Sequence, residues 1–394
     1  MALELRALRA LEGPNIYYPQ PAVELVVWAE HDLRTALADT VKTWAQQVGI
    51  VIAQLRQELQ PENSGLLITT TWVTPLPRTG ALIAEGAFRD LEAAARGDRG
   101  YSHDDLLWRA IAQRRREEPS LAQLQLAAEA QVRDLPLLPR EDGTLMIGSG
   151  ARGHVVAPTA LAQDQDPALP WETIGTIPLV AISGTARAEA VAALLVRLLS
   201  ELGARVGYAA GAAVSIAGAP VATADSAWSA ARRVLSDAAV DVAVLAIPPV
   251  AIIEHGLAFD ACTVSVVLPP TDARAAQAAG VVVGVTRPDG ATILAADDPW
   301  RSALQARAAA PVLLVGEAPF DWGSLGASAA LWPSAGQIVL DLGAQRQTLT
   351  LAEAGLEPAG MPDTAVLLPA LAAALVLGAP PETLAGALRA LNSS

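Results

Sequence analysis

The residues with the clearest chemical potential follow a short apolar run, Pro178-Leu179-Val180-Ala181-Ile182-Ser183, in the turn Gly184-Thr185-Ala186-Arg187-Ala188-Glu189-Ala190. Strand, glycine turn, then helix is the setting of a phosphate-binding loop. Such a loop needs glycines so that backbone N–H groups wrap the phosphates. It also needs a lysine for the β/γ charge and a Ser or Thr hydroxyl for magnesium. The lysine and hydroxyl positions hold Ala188 and Glu189. A carboxylate in the first turn of a helix is favoured by the helix dipole and takes the place of an anion. Glu189 is therefore expected to repel phosphate. Arg187 supplies charge, but nothing replaces the hydroxyl, so a structural turn is the expected role.

Other constellations carry less. Gly148, Gly150 and Gly153 spell GxGxxG after a strand-like Thr144 to Ile147. A dinucleotide site needs a helix next, and His154-Val155-Val156 continues as strand, so a glycine turn is expected. Asp297-Asp298-Pro299-Trp300 reads as a helix start with an Asp cap and a first-turn proline, against a ribose contact as the functional alternative. Glu254-His255 has an acid and a base but no nucleophile at a telling spacing. Arg114-Arg115-Arg116-Glu117-Glu118 reads as a solvated helix end rather than a phosphate patch. Cys262, in an apolar segment, is expected as a packed thiol. Trp28, Trp44, Trp72 and Trp108 are expected as core or interface anchors.

The elements that must position these groups divide into two patterns. Residues 1–160 read as a mixed α+β region. Val23–Trp28 and Leu66–Val73 look like strands, and Asp32–Leu59, Leu82–Arg96, Asp104–Glu118 and Ser120–Arg133 show helical periodicity. Residues 161–173, with Asp164, Asp166 and two prolines, read as a linker. Residues 174–394 alternate continuous apolar runs with helices. Pro178–Gly184, Asp241–Ile247, Thr263–Leu268, Gly280–Val285, Ala291–Ala295 and Pro311–Val315 read as strands covered on both faces. Helices are expected at Glu189–Leu202, Ala224–Leu235 and Pro299–Ala309. The expected fold is α/β, a mainly parallel sheet with flanking helices preceded by a smaller α+β domain. Ligands in such sheets sit at the carboxyl ends of strands, which points again to Ser183-Gly184.

Composition narrows the partners. The 394 residues carry 41 acids against 27 bases, a formal charge of −14, and Lys42 is the only lysine. An acidic chain makes nucleic acid or an anionic membrane surface an unfavourable partner. One cysteine excludes an internal disulfide, and the four histidines (His31, His103, His154, His255) show no metal-ligand spacing. The longest apolar run, Ala365–Ala379, is broken by Pro369 and Gly378 and is shorter than the ~20 residues a spanning helix needs. The charges in Met1-Ala-Leu-Glu-Leu-Arg6 do not suit a signal peptide, and a cytoplasmic location is expected.

The segment Ile177-Pro178-Leu179-Val180-Ala181-Ile182-Ser183-Gly184-Thr185 resembles the entry to the central ATPase domain of the Mur ligase family, and of cyanophycin synthetases in particular, whose loop reads G-T-N-G-K-T-T. Ala243 to Asp260 matches the family's A-V-L-E-T-A-R-G-G-I-L-R-E-G-L-A-F-D without a gap. Thr292 to Pro299 resembles its A-V-L-N-A-D-D-P nucleoside segment, and Ala365 to Leu391 its closing helix pair. Leu11-Glu12-Gly13-Pro14-Asn15-Ile16-Tyr17 and Ala130 to Thr159 resemble N-terminal segments of cyanophycin synthetases. The resemblance implies a Mg-ATP site, and the departures fall on it. The family's phosphate lysine is Ala188, its magnesium-binding threonine Glu189, its magnesium-binding glutamate Ala246 and its base-contacting asparagine Ala295. The A-R-G-G turn is Pro248-Pro249-Val250-Ala251, and the histidine of the T-N-I-x-x-D-H stretch is lost at Leu268 to Arg274. Gly184, Thr185, Arg187, Asp297 and Asp298 are what remains of a nucleotide site. No segment resembling the ATP-grasp region of cyanophycin synthetases or the family's C-terminal amino-acid-binding domain is expected within these residues.

These departures lead to the expectation of a non-catalytic homologue without catalytic residues, metal or cofactor. It would act as a structural or regulatory subunit beside a second copy or an active Mur ligase or cyanophycin synthetase paralogue. Two alternatives stand beside it: an ATP-dependent amide ligase completed by a partner's residues, and a small-molecule module that uses the emptied cleft.

Overall fold

The computed structural model describes residues 2–140, 142–157, 169–343, 346–354 and 363–393. The chain divides into two compact units. The first holds residues 1–121 together with 253–257; the second holds 122–252 and 258–394. The sequence reading put a linker at 161–173, most of which lies outside the described residues; the division in the fold falls at 121/122.

In the first unit, β1 (Leu3–Leu11), β2 (Ala22–Ala29), β3 (Leu55–Glu62) and β4 (Gly65–Val73) form an antiparallel sheet in the order β1-β2-β4-β3. Helices α1 (Arg34–Val48), α2 (Pro77–Arg96) and α3 (Asp104–Glu117) complete it. Val23, Leu25, Val27, Trp44, Ile68, Trp72 and Ile83 form the core. The helical reading of Asp32–Leu59 is correct only to Val48. Leu55, Gln57 and Leu59 instead alternate on a strand that hydrogen-bonds to β4 across a turn with Asn63 at φ 51°. Period two matched by a neighbouring strand outweighs a loose period of three or four. Trp44 and Trp72 are core residues, whereas Trp108 is 67% exposed and of the two expected roles cannot fill that of a core anchor.

Two segments that the sequence singled out separately meet inside this unit. The Asn15 side chain accepts from the N–H groups of Tyr17 and Tyr18 and donates to the Gly13 and Gln20 carbonyls, which fixes the β1–β2 connection. The Glu12 N–H then donates to the His255 carbonyl at 2.7 Å, and the Leu257 N–H to the Pro14 carbonyl at 2.8 Å. Glu254-His255 thus lies in a backbone strap.

The second unit begins with α4 (Leu121–Val132) and a small antiparallel sheet of β5 (Leu137–Pro139), β6 (Leu145–Ile147) and β7 (His154–Val156). The glycine motif lies between β6 and β7 and is followed by strand, as expected. The main sheet comprises β8 (Leu179–Ser183), β9 (Val206–Ala210), β10 (Ala213–Ile216), β11 (Ala219–Val221), β12 (Val242–Ala246), β13 (Cys262–Val267), β14 (Thr286–Ala295), β15 (Val312–Val315), β16 (Ala329–Ser334), β17 (Gln337–Asp341) and β18 (Arg346–Thr350). Their order is β11-β10-β9-β12-β8-β13-β14-β15-β16-β17-β18. The run from β9 to β16 is parallel, with antiparallel strands at both edges.

Helices cover both faces, as a parallel sheet requires. On one face, α5 (Arg187–Glu201) packs with α10 (Thr364–Val376) and α11 (Pro381–Ser393), burying Leu195, Leu198, Leu371 and Leu384 against Val180, Ile182, Val244 and Val266. The other face presents the intervening residues Val267, Leu294 and Leu314 to α8 (Ala273–Gly284) and α9 (Arg301–Gln305). Two further helices, α6 (Ala227–Leu235) and α7 (Pro249–His255), follow β11 and β12. The strand expected at Gly280–Val285 is the end of α8, corrected by the Asp272 carboxylate that caps this helix from the Arg274 and Ala275 N–H groups. A buried helix and a buried strand both read as continuous apolar sequence, and the cap distinguishes them. Among the described residues no helix is long and apolar enough to cross a membrane.

Candidate functional site

The turn after β8 is held by its neighbours rather than left open. The Ser183 hydroxyl donates to the Ile247 carbonyl at 2.9 Å, and the Leu268 N–H donates to the Ser183 carbonyl at 2.9 Å. Gly184 has φ +125°, and a side chain there would run into the Leu268 carbonyl. Its glycine is thus explained by close backbone packing at a conformation that L-residues avoid.

The carboxyl ends of β8, β13, β14 and β15 surround a cavity of about 240 Å³. Thr185, Arg187 and Asp297, three of the five residues that the resemblance assigns to a nucleotide site, line it together with Pro269, Glu317 and Thr364. Arg187 is bound at 3.2 Å to Asp363, just ahead of α10, so its charge already has a partner. Two carboxylates and one paired guanidinium make the lining acid-rich.

The other expected residues lie elsewhere. Asp298 is 4% exposed; one carboxylate oxygen accepts from the Trp300 N–H at 2.8 Å and the other has no hydrogen-bond partner among the described residues. Burial pushes its carboxyl above the usual range, the Asp297 charge adds to this, and the Trp300 N–H and Arg301 partly offset it. It serves the turn into α9 and does not line the cavity. Gly184 contributes backbone only. Ala188 is 6% exposed and faces the core beneath α5. Glu189, expected to take the place of an anion, is exposed and lies close enough to Tyr208 on β9 to help burial raise that phenol. Ala246 and Ala295 close the carboxyl ends of β12 and β14.

Four positions differ in chemistry from the Mg-ATP site that the resemblance implies. The positions at which the family resemblance implies a lysine and a threonine offer a buried methyl and an outward carboxylate, and those for glutamate and asparagine offer methyls. Among the described residues no group of three or more His, Cys, Asp or Glu side chains gathers as a metal cluster would. What the geometry can do is admit a small, uncharged or cationic group against Thr185, Asp297 and Glu317.

The second unit is thus a mainly parallel sheet covered on both faces, with a glycine turn after β8. A family model described as "Domain of unknown function (DUF4938)" matches residues 2–316, and the chain belongs to that family. The resemblance to cyanophycin synthetase read from the residues is borne out. Over 172 residues the chain is 32% identical to the cyanophycin synthetase of Crocosphaera subtropica, covering 39% of this chain and 20% of that protein. Over 180 residues it is 31% identical to that of Synechocystis, covering 41% and 21%. The chain thus spans about a fifth of the length of these relatives. Among solved structures it is similar to UDP-N-acetylmuramoyl-L-alanyl-D-glutamate–2,6-diaminopimelate ligase, at 13% identity and a TM-score of 0.40 over 59% of this chain and 48% of that one. It is also similar to E. coli FolC in complex with DHPP and ADP, at 13% identity and a TM-score of 0.38 over 54% and 56%.

Proposed function

We propose that this chain is a non-catalytic homologue of the Mur-ligase-like enzymes, a structural or regulatory subunit that works in the cytoplasm with a second copy or an active paralogue. The observation that carries the reading is the start of α5: Ala188 turns into the core and Glu189 outward, so neither position offers a cation or a hydroxyl to the Gly184 turn. Arg187, the nearest charge that could compensate, is engaged by Asp363. Lys42 lies on α1 in the other unit. Calorimetry with Mg-ATP is expected to show no binding at millimolar nucleotide. Tight Mg-ATP binding that is abolished by Arg187→Glu would overturn the reading. ADP release by a co-encoded neighbour that depended on adding this chain would instead favour a ligase completed between two subunits.

A second reading rests on the cavity itself. Its 240 Å³ and its Thr185, Asp297 and Glu317 groups suit a small ligand better than a triphosphate. Thermal-shift screening with nucleosides would test this, because a ligand at 100 times its dissociation constant adds about 2.7 kcal/mol. Flat melting curves would leave the subunit role alone.

A further inference from the structure

The second unit contains a larger cavity, about 500 Å³, at the amino ends of the main-sheet strands, opposite the Gly184 turn. The starts of β8 and β13 form its floor, and β5 and the last turn of α4 form its walls. Nothing in the subunit role calls for it.

Three charged groups, Asp134, Asp260 and Arg287, stand in an otherwise largely apolar lining. Asp260, just before β13, is accessible to solvent and makes no hydrogen bond or ion pair among the described residues. The surrounding protein nevertheless raises its carboxyl above the usual range, with Arg232 only partly offsetting this. Arg287 stands where the β13–β14 register slips, between the pairs Cys262–Thr286 and Val264–Ala291. Its guanidinium lies 3.2 Å from Asp134, whose side chain is 89% exposed and whose backbone is left-handed at φ 54°. A solvent-facing counter-ion can be exchanged for another carboxylate at little cost, since water already screens an exposed pair. Leu135, Leu179 and Phe259 supply apolar surface.

Two carboxylates and one guanidinium disfavour a phosphate. A lone carboxylate and a guanidinium with a replaceable partner suit a ligand carrying one charge of each sign. We infer that this cavity binds a small zwitterion, an amino acid or dipeptide with apolar side chains. Its ammonium group is held by Asp260, its carboxylate by Arg287 in place of Asp134, and its apolar body by Leu135, Leu179 and Phe259. The volume lies within the 300–1,000 Å³ or so typical of small-molecule sites.

Calorimetry on the full chain with L-leucine and L-leucyl-L-leucine tests this. At least one is expected to bind with a dissociation constant below about 1 mM. N-acetyl-L-leucine and L-leucinamide, each lacking one charge, are expected to bind at least about tenfold more weakly. Asp260→Asn and Arg287→Met should each weaken binding by a similar factor. Asp134→Asn should tighten it severalfold by removing the internal competitor, a gain that loss of structure could not produce. Absence of heat with both zwitterions, equal binding of the capped probes, or affinity that survives both Asp260→Asn and Arg287→Met would overturn the inference.

Discussion

The two ends of one sheet treat charge in opposite ways. At the carboxyl end, around the Gly184 turn, hydrogen bonds lock the strands together, Arg187 is matched by Asp363, and the helix start offers neither lysine nor hydroxyl. At the amino end, Asp260 faces a larger cavity without a partner among the described residues, and Arg287 holds only an exposed one. The fold class directs attention to the carboxyl end, where related sheets bind their ligands. The side chains direct it to the other. Where the cation at a fold's usual site is already matched, charge facing another cavity becomes a second guide to binding.

The largest effect that would break this contrast concerns the locked turn. Gly184→Val places a β-branched residue at φ +125° against the Leu268 carbonyl. A loss of about 3 kcal/mol is expected from left-handed strain and backbone displacement together, read as a lower urea midpoint with unchanged slope. A neutral result would mean that the turn is open enough to admit a ligand after all.

The next effect contrasts the two ends through pH. Asp272, which caps α8 after the carboxyl end of β13, has its carboxyl held below the usual range by the Ala275 N–H, the Thr271 hydroxyl and the Arg274 N–H. Its stabilisation is therefore present at neutral pH and lost as pH falls through the depressed value. Asp272→Ala should melt about 2 °C lower at pH 7, with the gap closing in acid. Asp260 has the opposite sign: its raised carboxyl favours the protonated fold, so its charge becomes a burden as pH rises. Asp260→Asn should melt no lower than the parent at pH 7, and any advantage should shrink toward acid. Parallel pH profiles for the two variants would remove the distinction between the ends.

The strands β2, β4, β8, β12, β13 and β15 are legible in the sequence because short apolar runs, continuous or alternating and closed by turn residues, suit a strand better than a helix. The last turns of α8 are not, since Val281-Val282-Val283 satisfies a strand pattern and only Asp272 signals the helix. Strand β3 is hidden because Leu55-Arg-Gln-Glu-Leu-Gln-Pro-Glu is too polar to reveal its face without β4 beside it. At the site, the departures from the family's motif at Ala188 and Ala246 are visible in the sequence. The Arg187–Asp363 pair is not, because Asp363 lies far along the chain. The amino-end cavity is invisible for the same reason: Asp134, Asp260 and Arg287 share no motif and meet only when three separate elements fold together.

The smallest expected effect tests whether Arg187 is a remnant of function or of structure. Its pair with Asp363 is half exposed on both sides, at 59% and 46% of the side chains. Exposed pairs contribute little, because two long side chains lose freedom for an attraction that water and salt screen. Arg187→Ala should therefore change stability by less than about 0.5 kcal/mol. If the carboxyl-end cavity is idle, the same substitution should leave partner binding and melting in the presence of nucleosides unchanged. If the cavity takes a ligand, removing Arg187 frees Asp363 and makes the mouth more acidic. Anionic ligands would then weaken and cationic ones tighten, while stability in the absence of ligand stays level. A stability loss well above this limit would instead mean that the pair anchors α10 to the start of α5, and that the arginine was retained for packing.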